Sequence, residues 1–320
     1  MNEVQLIDKY LKRLTKKNSS SQGLNDDIFF DKSKKLAISI DTYVEKVHFP
    51  NLKSPDLVIK KVLRSSLSDL ICKGVKPKYY FLSASGNSKS FSKKNLKKIS
   101  NALSSEQKRF DIELSGGDTV NSSINSFTCC VVGFSNNIVK RHNSKIGDDI
   151  YITGYLGDSY LGLQILRKKI SLSNNLRKYF ISKYYMPSIN LKMIDFLHKF
   201  ANTSIDISDG LLIDLDKMTK QQKYGFLIRL DDIKISNQLK NFLSKNKRFK
   251  IENTIFNGDD YEIIFTSHKK NRSLINKYAK NKKLKIQRIG KILKKHQDSC
   301  ILKGNQKFKI NKNLGYTHQF

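Results

Sequence analysis

Ile205-Asp206-Ile207-Ser208-Asp209-Gly210 is the stretch from which the rest of the chain can be ordered. Residues Thr203 to Ile207 alternate small polar and apolar side chains, as a short strand does. Leu211, Leu212, Leu215 and Met218 then recur at helical spacing. Two carboxylates and a hydroxyl therefore sit at a strand-to-helix turn. Either Ser208 or Asp209 can cap the helix, and Gly210 permits a close approach of backbone or ligand. The same punctuation recurs along the chain. Asp26-Asp27, Ser39-Ile40-Asp41-Thr42, Ser68-Asp69, Gly116-Gly117-Asp118-Thr119 and Gly258-Asp259-Asp260-Tyr261-Glu262 each place acids at the edge of an apolar run. A single such motif reads as a turn or a cap. Repeated at strand ends, they describe oxygen ligands for hard cations, above all Mg²⁺ held together with substrate phosphates.

Composition sharpens this reading. Lys and Arg number 60 against 28 Asp and Glu, a formal net charge of +32. Acids are scarce, so their gathering at strand ends is informative. The basic excess is spread over both halves of the chain, which favours a solvated basic surface that steers anionic substrates over a nucleic-acid groove. No apolar run is long enough to span a bilayer. The pattern of Val4, Leu6, Ile7, Tyr10, Leu11 and Leu14 predicts an amphipathic helix over residues 1–17, with its stripe turned into the core. Cys72, Cys129, Cys130 and Cys300 form no metal-binding spacing and read as reduced core residues of a cytoplasmic protein.

At 320 residues the chain has room for two domains. Strands are expected at 28–30, 36–40, 78–85, 110–114 and 127–134, with a short one before Arg141. Helices are expected from the Ser54-Pro55-Asp56 start and over 90–104. Asp69 lies late in the first of these, beside its apolar face, where it must meet Arg64, another base or a cation. Gly147-Asp148-Asp149 opens a second half, so the boundary falls between 1–146 and 147–320. That half carries strands at 150–153, 203–207, 225–230, 261–265, 285–290 and 300–302, and helices at 158–167 and 211–222. Mixed strands and helices without regular βαβα alternation indicate an α+β fold.

Taken in order, the motifs D-D, S-x-D-T, S-D-L, G-G-D-T, G-D-x-I-Y-I-T-G, I-D-I-S-D-G-L, G-D-D-Y-E and the tail Gly315-Tyr316 resemble the thiamine-monophosphate kinase family, from Gly23 to Tyr316. That family is grouped with aminoimidazole ribonucleotide synthetase and selenophosphate synthetase. The resemblance implies two α/β domains, the N-terminal one pairing across a homodimer, with ATP and several Mg²⁺ in the cleft. It implies that ATP phosphorylates thiamine monophosphate directly, giving thiamine diphosphate as the last step of its biosynthesis. Carried over by position, Asp27, Ser39, Ile40 through its backbone, Asp41, Asp69, Asp118, Asp206 and Asp209 would hold metal. Gly117, Asp118, Arg141 and Ser208 would meet ATP, and His48, Asp259 and Tyr316 would meet thiamine monophosphate. Asp41, Asp69, Asp118, Asp209 and Arg141 would carry the transfer. Asn25, Ile40 and Asp259 depart from the family's usual Gly, Thr and Glu. Two rival readings remain: another ATP-dependent enzyme of the same superfamily, such as an aminoimidazole ribonucleotide synthetase-like one, and a non-catalytic basic RNA-binding protein. Neither a nucleic acid nor a membrane is expected as partner on the favoured reading.

Overall fold

The computed structural model describes residues 1–308 and 315–320. Its elements in order are α1 (Glu3–Leu6), β1 (Phe29–Asp31), β2 (Leu36–Val44), α2 (Pro55–Cys72), β3 (Lys76–Gly86), α3 (Lys93–Phe110), β4 (Glu113–Gly116), β5 (Thr119–Asn121) and β6 (Ser126–Phe134). There follow β7 (Asp149–Thr153), α4 (Asp158–Leu166), α5 (Asn174–Tyr185), α6 (Met193–Phe200), β8 (Thr203–Asp206), α7 (Leu211–Lys220), β9 (Tyr224–Arg229) and α8 (Asn237–Lys245). The last elements are α9 (Glu252–Ile255), β10 (Ile263–Ser267), α10 (Arg272–Lys282), β11 (Ile286–Lys295), β12 (Cys300–Lys303) and β13 (Gln306–Phe308).

The strands form two mixed sheets. The first has the order β1-β2-β6-β3-β4, with β5 also paired to β3. The second has the order β13-β12-β9-β11-β7-β10-β8. Each sheet draws its strands from one side of residue 146, as an α+β chain of two halves requires.

Helix α2 joins the two halves. It starts at Pro55, whose fixed φ suits the first helical position. It packs on β2, β3, β6 and α3 and also touches α5, α6 and β8. Val58, Val62, Leu63, Leu67 and Ile71 are buried in a core that extends to Tyr151, Tyr184, Phe196 and Phe265. A helix enclosed this fully needs its polar groups satisfied from within. Ser65 Oγ donates to the Lys61 carbonyl at 2.6 Å and Ser66 Oγ to that of Val62 at 3.1 Å. Arg64 forms a buried two-pronged pair with Glu106 at 2.6 and 2.9 Å. Arg64 is therefore committed elsewhere, and Asp69 does not meet it.

The second sheet is covered on both faces, which explains its continuous apolar strands. Ile150, Ile152 and Ile264 face the core with Leu161, Leu211, Leu215 and Phe242. Tyr151 and Phe265 face the other way, stacked at 5.0 Å, in the core with Phe196 and Ile275. Among the described residues, the first sheet is covered by α2 and α3 on one face. On the opposite face Ile40 is aligned through Cys130 with Phe81, and both Ile40 and Phe81 are exposed.

Several sequence expectations are corrected. The 1–17 segment is helical in pieces, with α1 continuing through irregular turns at Ile7–Leu11 and Lys12–Thr15. Its stripe does not enter the core: Val4, Tyr10, Leu11 and Leu14 are exposed, because no sheet face lies beneath it. No strand forms before Arg141. Helix α3 runs on to Phe110, ending at Asp111 in the left-handed conformation, so the next strand begins only at Glu113. Helices α8 and α10 carry Lys-rich sequence that masked their periodicity.

Candidate functional site

The turn after β8 is held by a group that the motif reading passed over. Neither Ser208 nor Asp209 caps α7. The fully buried Asp214 carboxylate reaches back and accepts from the backbone N–H of Asp209 at 3.1 Å and of Gly210 at 3.0 Å. An acid in the first turn does this work favourably, since it meets the positive end of the helix. Gly210 has φ +129°, and a Cβ there would lie 2.1 Å from the Phe256 carbonyl oxygen. A Cβ on Gly258 would lie 2.0 Å from the Ser208 carbonyl oxygen. These glycines allow two loops to touch backbone to backbone. Asp259 N–H donates to Ser208 O at 2.8 Å, and Tyr316 N–H donates to Asp209 O at 3.0 Å. Asp259 and Tyr261 both have positive φ, +71° and +52°. For a tyrosine this is a strained conformation, of the kind found where surrounding structure fixes a functional loop.

On the helix side of the first sheet, β2 turns Ser39 and Asp41 towards α2, while Ile40 points to the opposite face. Ile40 can therefore contribute main chain alone. Ser39 Oγ donates to Asp69 at 2.5 Å, and Ser68 Oγ donates to Asp206 at 2.9 Å. Ligand atoms of Asp27, Cys72 and Asp206 lie within 4.8 Å of one another. The structure thus brings Asp27, Asp41, Asp69 and Asp206 together from a loop, a strand, a helix and a second strand.

Their charges are unevenly matched. Asp27 is paired with Lys73 at 2.9 Å and with Arg141, and Lys73 also holds Asp26 at 2.8 Å. Burial alone would raise the Asp27 carboxyl, but Arg141 and Lys73 outweigh it and hold it well below the usual range. The described ion pairs bypass Asp41, Asp69 and Asp206. Burial, eased by Ser66, leaves Asp41 raised to about 6. Burial and the charges of Asp27 and Asp214 push Asp206 up to about 8. Burial and the charges of Asp41 and Asp206 raise Asp69 strongly. Crowded carboxylates of this kind share protons until a cation arrives. The donors are oxygens, which suits a hard divalent cation. The Cys72 thiol sits among them, but burial raises it and keeps it protonated, so it suits no such cation.

Asp209 stands beside this group, paired with Lys217 at 2.5 Å, which also meets Asp214 at 3.1 Å. Arg141 keeps a buried Nε without a partner among the described residues. Ser208 lies in the same turn. Gly117 and Asp118 do not join the cluster. They sit exposed between β4 and β5, beyond β3, where Asp118 accepts from the Thr119 N–H at 2.8 Å.

The residues expected at the phosphate acceptor form a second group. His48 Nδ1 accepts from Val44 N–H at 3.0 Å. Tyr184 OH donates to the His48 carbonyl at 2.7 Å. Asp259 is paired with the buried Lys61 at 2.5 Å, and that ammonium lies 4.1 Å from the Tyr184 ring centre. Tyr316 reaches this group through His318, its ring 4.9 Å away edge-on. Sequence reasoning missed Lys61, Lys73, Lys217, Asp214 and His318. In a chain with so many lysines no spacing singles out the buried ones, while His318 had a signal, two residues after the noted Tyr316.

Comparison with known proteins places the chain in a family. Residues 25–135 match the family model for AIR synthase related protein, N-terminal domain. The thiamine-monophosphate kinase of Buchnera aphidicola subsp. Schizaphis graminum is 37% identical, the match covering 99% of this chain and 98% of the relative. That of Escherichia coli K12 is 28% identical over 99% and 98%. Among solved structures, AaThiL complexed with AMPPCP and TMP superposes with a TM-score of 0.85 at 25% identity, covering 99% of this chain and 97% of that one. With a relative of this identity matched end to end, the chain belongs to the thiamine-monophosphate kinase family.

Proposed function

We propose that this enzyme transfers the γ-phosphoryl group of ATP to thiamine monophosphate, giving ADP and thiamine diphosphate. The observation that carries the reading is the set of carboxylates Asp41 and Asp69, half-buried, and Asp206, buried, none of them in a described ion pair, lying next to the ring-lined His48–Asp259–Tyr316 group. One group suits cations that hold phosphates, the other an aromatic acceptor.

The attacking atom is a phosphate oxygen, already ionised near neutral pH, so no side chain need act as nucleophile or general base. The obstacle is repulsion between two polyanions and their alignment. Asp27, Asp41, Asp69, Asp206 and Asp209, with Ser39 and the Ile40 main chain, would hold Mg²⁺, which would supply charge neutralisation across both phosphates. Asp118, which stands apart from the cluster at the β4–β5 turn, would meet metal carried by ATP there, and Gly117 and Ser208 would present main chain and hydroxyl to ATP. Arg141, with its open Nε, would turn from Asp27 towards a phosphate. His48 and Asp259 would orient the acceptor, and Tyr316 would pack on it.

We divide the chain into a domain of residues 1–146 and one of 147–320. The exposed face bearing Ile40 and Phe81 supports pairing of two N-terminal domains in a homodimer. The four cysteines are free, in keeping with a cytoplasmic enzyme. Among the described residues no helix is long and apolar enough to cross a membrane.

The test mixes purified protein, Mg²⁺-ATP and thiamine monophosphate and separates the thiamine phosphates by chromatography. Equal amounts of thiamine diphosphate and ADP, both abolished by chelator, are expected. Folded, ATP-binding protein that forms no thiamine diphosphate would overturn the acceptor assignment. Salt-sensitive RNA binding without turnover would replace it with the RNA-binding alternative.

A further inference from the structure

His318 lies beside the acceptor group, yet no motif claims it. Its Nε2 is 3.4 Å from His48 Nε2, with ring centres 5.2 Å apart. Its Nδ1 is 3.3 Å from the Tyr316 hydroxyl. Hydrogen-bond bookkeeping orders this chain. His48 Nδ1 accepts a backbone proton, so a neutral His48 carries its own proton on Nε2. That proton points at His318 Nε2, which must then be the acceptor. His318 consequently bears its proton on Nδ1 and donates it to the Tyr316 oxygen. The Tyr316 O–H is left free to donate outward, and the residue is 42% exposed.

The position of His318 is set from outside the site. The Glu3 N–H donates to the His318 carbonyl at 3.3 Å, and Asn2 forms an antiparallel bridge with Gln319. Asn2 in turn caps α1, sharing reciprocal hydrogen bonds with Gln5. The segment at 2–5 therefore clasps the tail that carries both rings.

We propose that His318 is a third aromatic wall of the acceptor pocket, positioned by the 2–3 segment, and that it packs against the cationic heterocycle of a thiamine phosphate while fixing the Tyr316 hydroxyl as a donor to that ring system. This rests on the acceptor reading of His48 and Tyr316. The chemistry fits: the His48, Tyr316 and His318 rings stand together while the Asp259 carboxylate is already shared with Lys61, so ring faces rather than an open charge would meet a positively charged aromatic ligand. Burial holds the His48 ring below its usual titration range, keeping it neutral, although Asp259 acts in the opposite sense.

The experiment compares steady-state kinetics and melting of H318A, H318F, H48A, Y316A and E3P in the full chain. H318A is expected to raise KM for thiamine monophosphate on the order of tenfold, with kcat and KM for ATP within about twofold. H318F keeps a ring and is expected to recover most of that loss. E3P removes the donor to His318 at a first helical position where proline is tolerated, so it is expected to raise the same KM by about threefold without lowering the melting temperature. If H48A and Y316A raise this KM but H318A does not, His318 has no such role. If all three leave it unchanged in folded protein, the acceptor site itself is misplaced. A fall in kcat and melting temperature for H318A, unrelieved by H318F, would make the residue structural only.

Discussion

The carboxylate cluster and the acceptor pocket lie on either side of one turn, yet they treat charge in opposite ways. In the pocket, Asp259 already has a partner in Lys61, and the remaining groups are aromatic rings. In the cluster, Asp41, Asp69 and Asp206 face one another with hydroxyls but without a cation of their own. The cluster stands on a strand, a helix and a second strand; the pocket stands on loops and the tail. Rigid elements can hold like charges together against their repulsion, and loops cannot. Uncompensated charge thus marks where cations are expected, and compensated charge marks where shape decides binding.

The largest effect should come from removing one uncompensated acid. D206N is expected to lower kcat by about a thousandfold or more, since a group acting on transition-state charge is lost. It should also stabilise the metal-free fold. Asp206 is raised in the folded state, so its favourable contribution is complete below the unfolded carboxylate range and is lost as pH rises through about 8. Melting in chelator should therefore fall between pH 6 and 8.5 for the parent and fall less for D206N. A variant less stable than the parent at pH 8.5 would erase the contrast between the two regions.

Next in size is proton release on metal binding. Asp41 and Asp206, raised to about 6 and about 8, must give up protons to hold a cation. Apparent Mg²⁺ affinity should strengthen as pH rises from 6 to 8, by up to about tenfold per pH unit for each proton released. Titration calorimetry in buffers of different ionisation enthalpy reads this directly. Affinity indifferent to pH would mean the cluster is not the metal site.

The smallest effect belongs to the pocket. D259E adds one methylene next to Lys61, and a change of that size in a binding site is expected to shift KM for thiamine monophosphate by about tenfold, the low end for one methylene. The kcat should hold. A loss of kcat comparable to D206N would place Asp259 with the cluster.

Much of this was legible before the structure. Sparse acids at strand ends stood out against the basic background, and Asp27, Asp41, Asp69 and Asp206 do converge. Asp118 was equally visible but remains apart within one chain, because β3 and β6 intervene between its turn and β2. Helix α2 was readable from its Ser-Pro-Asp start, but not its burial on all sides, since its serines look like solvent-facing positions until their hydroxyls find acceptors. The 1–17 stripe was visible too, and its destination was misjudged, since periodicity shows that a face exists without showing what covers it.

The sequence by itself determined the family, most of the strands and most of the acids that gather, because these depend on local pattern and on motif order; it placed a strand before Arg141 that does not form and passed over β5 and β13. The tertiary structure decided which lysines are buried beside which acids, how Asp214 rather than Ser208 or Asp209 caps α7, and how residues 2–3 bring His318 to His48. The Asp214 cap spans only four to five residues and depends on the buried geometry of its turn, whereas the buried Lys61 and Lys73 pairs and the 2–3 clasp reach across tens to hundreds of residues, where desolvation and pairing of each charge follow from its neighbours in space.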